Sequence, residues 1–243
     1  MKKQIKKIEY KGYNIFYFDD FYVEIGKKII DKQFLTSTIL KNTKRNYVSI
    51  IEVNEKKYVF KEPRNEHIIP QRKLMTLFKD GEAVTTLKNL NYIRKYDKIE
   101  NFVEPYLAIT KRRNGMICYS ALLMENIDGK EDRNYLDEIV KLMVEVHEAG
   151  YYHGDFNPGN FLLEKGNIRI IDTQGKKMKF FNYRAHYDML TMQMDSYHEM
   201  RYPYKKDLMY YFVYTVKKIK KMKWIEKIKK IKKMLREEKG WKI

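Results

Sequence analysis

The 243 residues include one cysteine, five prolines and eleven glycines. The lone Cys118 excludes an internal disulfide and a cysteine-based zinc cluster, and it suits a reducing compartment. Its apolar neighbours in MICYSALLM point to a buried structural thiol rather than a nucleophile. Scarce glycine and proline, set beside 44% hydrophobic and 14% aromatic residues, exclude a fibrous repeat and extended disorder. No apolar run reaches the ~18 residues of a membrane-spanning helix, and LMYYFVYTV at 208–216 is too short. The start, MKKQIKKIEYKGYNIF, is basic but lacks the apolar core and small-residue cleavage site of a signal peptide, so cytoplasmic residence is expected. Acidic residues are also in deficit: 32 Asp plus Glu stand against 50 Lys plus Arg, a formal charge of +18. Such a surface attracts anions, whether nucleic acid, a phosphorylated substrate or an anionic membrane face.

What is present reads as two lobes joined by one connector. YNIFYFDDFYVEIG and RNYVSIIEVNEKKYVFKEP carry short runs rich in Tyr, Val, Ile and Phe. In the second, Asn54 to Lys56 supplies the turn of a hairpin between strands at 47–53 and 57–61. Apolar spacing from Gln71 to Tyr96 predicts two helices broken near Asp80 and Gly81, and VEPYLAIT and MICYSALLME read as strands around KRRNG. The polar ENIDGKED at 125–132 separates this sheet-rich lobe, residues 1–125, from a mainly helical lobe, residues 126–243. There YLDEIVKLMVEVHEAG predicts a helix with Gly150 as its C-cap, followed by a loop, a hairpin around Lys165 to Asn167, and helices over much of 184–239. The lysine-rich end keeps Ile219, Met222, Ile225, Ile228, Ile231 and Leu235 at helical spacing with a break near Trp224. That pattern fits a helix covering the lobe with a solvated lysine face, or one lying on a membrane surface.

The chemistry concentrates in HGDFNPGNFLLEKGNIRIIDTQG. Asn160 lies five residues after Asp155, and Asp172 ends the strand-like IRIID. A carboxylate and an amide on one loop, with a hairpin returning a second carboxylate, form an oxygen-rich set suited to magnesium, which prefers oxygen ligands and bridges phosphates. Phosphoryl transfer needs such ions because negative charge spreads over the transferred group, while the acceptor hydroxyl must be oriented and relieved of its proton. His153 and His147 read as structural, bracing the loop and packing on a helix. No second histidine supplies a zinc spacing.

The order HGD, Asn five later, then Asp after a hairpin resembles the protein-kinase-like superfamily in its small-molecule branch. More closely, HGDFNPGNFLLEKGNIRIIDTQGKK, NTKRNYVSIIEVNEKKYVFKEPRNE, the FKDGEAVTTLKNL region and RAHYDML resemble the bacterial lipopolysaccharide core heptose(II) kinase family. The resemblance implies an α+β, bilobal protein-kinase-like fold, with a small antiparallel sheet lobe and a larger helical one. It implies Asp155 as the base that orients a sugar hydroxyl, and Asn160 and Asp172 as holders of Mg2+ and, through it, of ATP. Lys61 would pair with the phosphates, partnered by Glu82 or alternatively by Glu66. Lys44, Arg45 and Glu125 complete the implied nucleotide-binding set.

Two departures stand out against that pattern. The glycine-rich phosphate lid is replaced by LKNTKRNYVSI, where Lys41, Lys44 and Arg45 would hold phosphates instead of close backbone amides. DFG is replaced by DTQG, which retains Asp172 and Gly175 but not a regulated activation segment. The implied acceptor is a lipid-linked lipopolysaccharide core oligosaccharide, met at the cytoplasmic face of an anionic inner membrane. Nucleic acid is not an expected partner, since no zinc finger, helix-turn-helix or RNP-like pair is present. A kinase for another sugar, such as an aminoglycoside, and a non-catalytic membrane scaffold remain as alternatives. Asn157, Lys176, Lys177 and Arg184 are further candidates for sugar contact.

Overall fold

The computed structural model describes residues 4–222 together with residues 224, 225, 227, 228, 231 and 234. The described residues form two compact units, 4–94 with 103–126, and 95–102 with those from 127 onward.

The first unit is built on one seven-stranded antiparallel sheet. Its strands are β1 (Lys6–Tyr10), β2 (Tyr13–Tyr17), β3 (Leu35–Asn42), β4 (Tyr47–Val53), β5 (Lys56–Glu62), β6 (Pro105–Arg113) and β7 (Met116–Glu125), in the order β1-β2-β6-β7-β5-β4-β3. Alternation dictates the buried face: β4 reads YVSIIEV with Ser49, Ile51 and Val53 inward, and β5 answers with Tyr58 and Phe60. Ile15, Leu107, Ile109 and Leu123 complete the core of this face. The expected 47–53 and 57–61 hairpin is present, extended by one residue at each end of its second strand.

Between β2 and β3, residues 22–30 form helix α1 (Tyr22–Ile30), although YVEI has the aromatic and β-branched content of a strand. Burial of Ile25 and Ile29, four apart, against the sheet overrides that local preference. Gly26 makes this approach possible, because a Cβ there would come within 3.0 Å of Ile15. Helices α2 (Asn65–Ile68), α3 (Pro70–Met75) and α4 (Glu82–Tyr96) follow β5, and α4 buries Val84, Leu87, Leu90 and Ile93. The break before α4 reaches Asp80 and Gly81, as its sequence predicts, with Gly81 at φ 87°, but it opens already after Met75, earlier than the apolar spacing predicts.

The second unit contains α5 (Leu136–Glu148), β8 (Tyr151–Tyr152), β9 (Phe161–Glu164), β10 (Asn167–Ile170), β11 (Lys176–Lys177), α6 (Tyr183–Asp195) and α7 (Leu208–Lys220). β9 and β10 form the expected hairpin, and β11 runs antiparallel to β8. α7 ends at Lys220 with Lys221 as its C-cap, just before the break expected near Trp224. Leu235 and Lys223, Lys229, Lys230, Lys232 and Lys233 of the lysine-rich pattern lie outside the described residues. Among the described residues no helix is long and apolar enough to cross a membrane. Cys118 is half-buried on β7, less enclosed than its neighbours suggest, and its thiol donates to the Lys111 carbonyl at 3.4 Å.

Candidate active site

The loop that carries Asp155 is anchored from beneath. α5 stops at Gly150, whose left-handed φ of 87° ends the helix and turns the chain into β8. From α6 the buried carboxylate of Asp188 accepts the backbone N–H of His153 at 2.7 Å and of Gly154 at 3.0 Å, with His147 Nε2 3.4 Å away. These donors satisfy polar oxygens that are otherwise cut off from water. His153 is buried below the loop, and burial holds its imidazole under the ordinary value. Its Nδ1 accepts the Asp155 N–H at 3.2 Å, so the proton sits on Nε2, which donates to the Ile171 carbonyl at 3.0 Å. Phe156, fully buried edge-on against Phe161 at 5.0 Å, fixes the next step of the chain.

Asp155 itself is exposed, and the Asn157 side-chain amide donates to its Oδ1. Asn160 donates through Nδ2 to the Asp155 carbonyl at 2.8 Å, which turns its Oδ1 the other way as an oxygen donor. The Asn160 carbonyl accepts the Ile171 N–H at 2.9 Å, tying the loop to the residue before Asp172. Asp172 lies at φ 54°, a conformation that Asp tolerates better than most residues. Thr173 Oγ1 then donates to the His153 carbonyl at 3.1 Å. Asp155, Asn160 and Asp172 are thereby brought onto one braced surface. Among the described residues no three His, Cys, Asp or Glu side chains converge on a metal position. Two carboxylates and an amide do suit magnesium, which keeps several waters and takes its remaining ligands from phosphates.

In the first unit Lys61 lies on β5, paired in register with Val48 and Leu122 in the middle of the sheet. Glu82 opens α4, and its N–H is held by Glu66 Oε1 at 2.6 Å. Glu66, the alternative partner for Lys61, is thus engaged at the N-terminus of α4. Burial, against the opposing bond from the Glu82 amide, pushes its carboxyl up to about 7. The turn between β3 and β4 contains no glycine; Thr43 and Asn46 close it with mutual backbone and hydroxyl bonds of 2.9–3.1 Å. The Arg45 carbonyl accepts the Asn65 N–H at 3.1 Å, and Arg64, itself held by Glu62 at 2.9 Å, reaches Asn42 Oδ1 at 3.4 Å. Lys44 and Arg45 are exposed on this turn, and Lys41 is exposed near the end of β3. Glu125 ends β7 with Oε2 accepting the Glu104 N–H at 3.2 Å.

The bracing by Asp188 is half-legible as RAHYDML, but the parts played by Glu66 and Asn101 are not. Asn101 accepts the Ile170 N–H at 2.8 Å and donates to the Ile168 carbonyl at 2.9 Å, fixing β10. A lone Asn has no sequence signature for such a task.

An antiparallel sheet unit carrying a strand lysine, and a helical unit carrying the braced Asp155, Asn160 and Asp172, define an α+β protein of the protein-kinase-like class. The chain belongs to the family described as Lipopolysaccharide core biosynthesis protein (WaaY), whose profile matches residues 4–232. It is similar to the lipopolysaccharide core heptose(II) kinase WaaY of Escherichia coli, 27% identical over 71% of this chain and 78% of that protein. It is also similar to CBL-interacting protein kinase 32 of Oryza sativa subsp. japonica, 23% identical over 61% of this chain, which spans 32% of that longer protein. Among solved structures the kinase domain of M. tuberculosis PknI aligns with a TM-score of 0.45 at 11% identity, covering 71% of this chain and 78% of that domain.

Proposed function

We propose that the protein transfers a phosphoryl group from ATP to a heptose hydroxyl of the lipopolysaccharide core. The observation that carries this reading is the Asp155 loop, held from beneath by Asp188 and His153 and tied through Asn160 to the Asp172 strand. Magnesium, when bound, would neutralise the charge that develops on the phosphates. Asn160 and Asp172 would hold it. Asp155, with Oδ1 engaged by Asn157, would accept the proton of the sugar hydroxyl and aim its oxygen in line with the phosphorus. Lys61 would pair with the non-transferred phosphates, with Glu82 as its acidic partner. Lys44 and Arg45 would supply from side chains the positive charge that a glycine-rich lid supplies from backbone amides. The formal charge of +18 favours an anionic glycan over a polycationic aminoglycoside. A lipid-linked acceptor would be met at the cytoplasmic face of the inner membrane.

The test is transfer of labelled phosphate, with magnesium, to dephosphorylated lipopolysaccharide core, free heptose, an aminoglycoside and a generic protein. Label is expected on the core glycan alone. Asp155→Asn is expected to lower turnover by about 10²–10⁴-fold while ATP still binds. Label on the aminoglycoside or the protein would overturn the acceptor, and ATP binding without transfer to any acceptor would favour a scaffold.

A further inference from the structure

The inward face of α7 is already satisfied. Tyr210 and Val213 are buried with Leu190 of α6. Lys217, buried one turn on, donates to Thr191 Oγ1 and Asp195 Oδ2, each at 2.9 Å. Burial alone would raise the Asp195 carboxyl, but bonds from Lys221 and Lys217 outweigh it and hold the group below its ordinary range. By helical periodicity the opposite face of such a helix should be polar. Instead Leu208 is 90% exposed, and Tyr211, Phe212 and Ile219 stand in solvent with it on that outward side.

A second exposed apolar feature lies beside this face. Eight residues beyond Asp172, Phe180 and Phe181 are 82% and 88% exposed. Both adopt positive φ, 60° and 52°, which bulky side chains resist, and neither ring is buried in exchange. The turn is fastened to α7. Asn182 Nδ2 donates to Asp207 Oδ2 at 3.3 Å, Asp207 Oδ1 caps α7 by accepting the Tyr210 N–H at 2.9 Å, and the Tyr183 ring lies 6.1 Å from that of Phe212. In the segments that carry these rings and the start of α7, Lys176, Lys177, Lys179, Arg184, Lys205 and Lys206 are all exposed. The single acid in segments 176–184 and 205–212 is Asp207, committed to the helix cap.

We propose that Phe180 and Phe181, with Leu208, Tyr211 and Phe212 inside this border of cations, seat the chain on an anionic lipid surface. Aromatic and aliphatic side chains entering the headgroup boundary, ringed by lysines, are the chemistry of interfacial attachment. No described helix is long and apolar enough to cross the bilayer, so the contact is peripheral. A second copy of the chain suits this face poorly, because each border of cations would meet its own like charge. The same segment reaches the catalytic loop: β11 pairs Lys176 with Tyr152 and Lys177 with Tyr151, immediately before His153. A chain seated on these phenylalanines would therefore hold Asp155 beside a lipid-linked acceptor. The inference rests on the proposed function for its acceptor, but lipid attachment itself requires no turnover.

The test uses the full chain and sedimentation with vesicles, either phosphatidylcholine alone or phosphatidylcholine mixed equally with phosphatidylglycerol. Binding is expected to the anionic vesicles only. Phe180→Ser with Phe181→Ser, and separately Leu208→Ser with Phe212→Ser, should each weaken partitioning at least ~10-fold, from the transfer energy of the rings and chains removed. Lys205→Glu with Lys206→Glu should weaken it at least ~25-fold, since each lysine near the surface is worth about fivefold. Each variant should keep its thermal midpoint, its binding of magnesium ATP and its rate on lipid-free core oligosaccharide, because the substituted side chains are exposed. If a variant fails to fold, Phe181→Cys in a Cys118→Ser background, labelled with an environment-sensitive fluorophore, must shift to the blue on anionic vesicles. Variants that partition like the native chain, or a label that stays in water, overturn the proposal. So does sedimentation showing that these substitutions abolish self-association or capture of an acidic protein without affecting vesicles. Phosphate transfer without vesicle binding sinks the docking surface alone, and vesicle binding without transfer to any core glycan sinks the catalytic reading alone.

Discussion

Glu66 holds its carboxyl at the start of α4, with Oε1 on the Glu82 N–H and Oε2 buried. Burial raises it from 4.5 to about 7, so between those values the folded chain binds more protons than the unfolded one. Its contribution to stability is therefore fully present below about pH 4.5 and is lost as pH rises through about 7. His153 runs the other way: burial lowers it, so its contribution is present above 6.5 and is lost as pH falls below that value. Comparing native chain with Glu66→Gln in urea across this range isolates the first effect. The variant is expected to gain on the native chain as pH rises, and parallel curves would show that Glu66 titrates normally. At this scale the HGD-to-Asp172 stretch is legible because its groups sit on one short loop and hairpin, with spacing that itself carries the chemistry. Asp188, 33 residues beyond Asp155, is legible only through its place in RAHYDML, and Glu66 acts from 16 residues before Glu82, where no local pattern connects a carboxylate to the amide it holds.

The glycine-free turn between β3 and β4 has the stiffness of an element with its own supports. Asn65 and Arg64 hold it from α2 and the end of β5, leaving Lys44 and Arg45 exposed. Lys44→Ala with Arg45→Ala is expected to raise KM for ATP about 3–10-fold with little effect on protein stability, as removal of exposed charge does. Steady-state kinetics at varied ATP checks it, and an unchanged KM would remove these two side chains from phosphate binding. Among elements, strands with clean alternation and the helix of YLDEIVKLMVEVHEAG are visible in sequence, because one buried face imposes one period. α1 is not, because its residues prefer a strand and only the packing of Ile25 and Ile29 on a sheet assembled from distant segments makes it a helix. The exposed face of α7 is invisible for the opposite reason. A run such as LMYYFVYTV does not say which of its aromatic residues will find a partner.

For the whole molecule the excess of 18 positive charges acts at a distance that single contacts do not. The Debye length falls from about 30 Å at 0.01 M salt to about 8 Å at 0.15 M, so attraction to an anionic surface should weaken steeply across that interval. Stopped-flow mixing with anionic vesicles is expected to show an association rate falling with salt while the dissociation rate changes less. A salt-independent association rate would mean that charge does not recruit the chain.

The order of the large sheet also bears on how the molecule is made. β2 is bonded to β6, with Ile15 opposite Ile109, so the β1–β2 hairpin must wait during synthesis for a strand made more than ninety residues later. At about 5–20 residues per second, that is roughly 5–20 s during which an apolar strand edge stands open. The opposite side of the hairpin is β1, the outer edge of the sheet, where Lys6 and Lys7 discourage another chain from adding a strand, in the nascent hairpin as in the finished sheet.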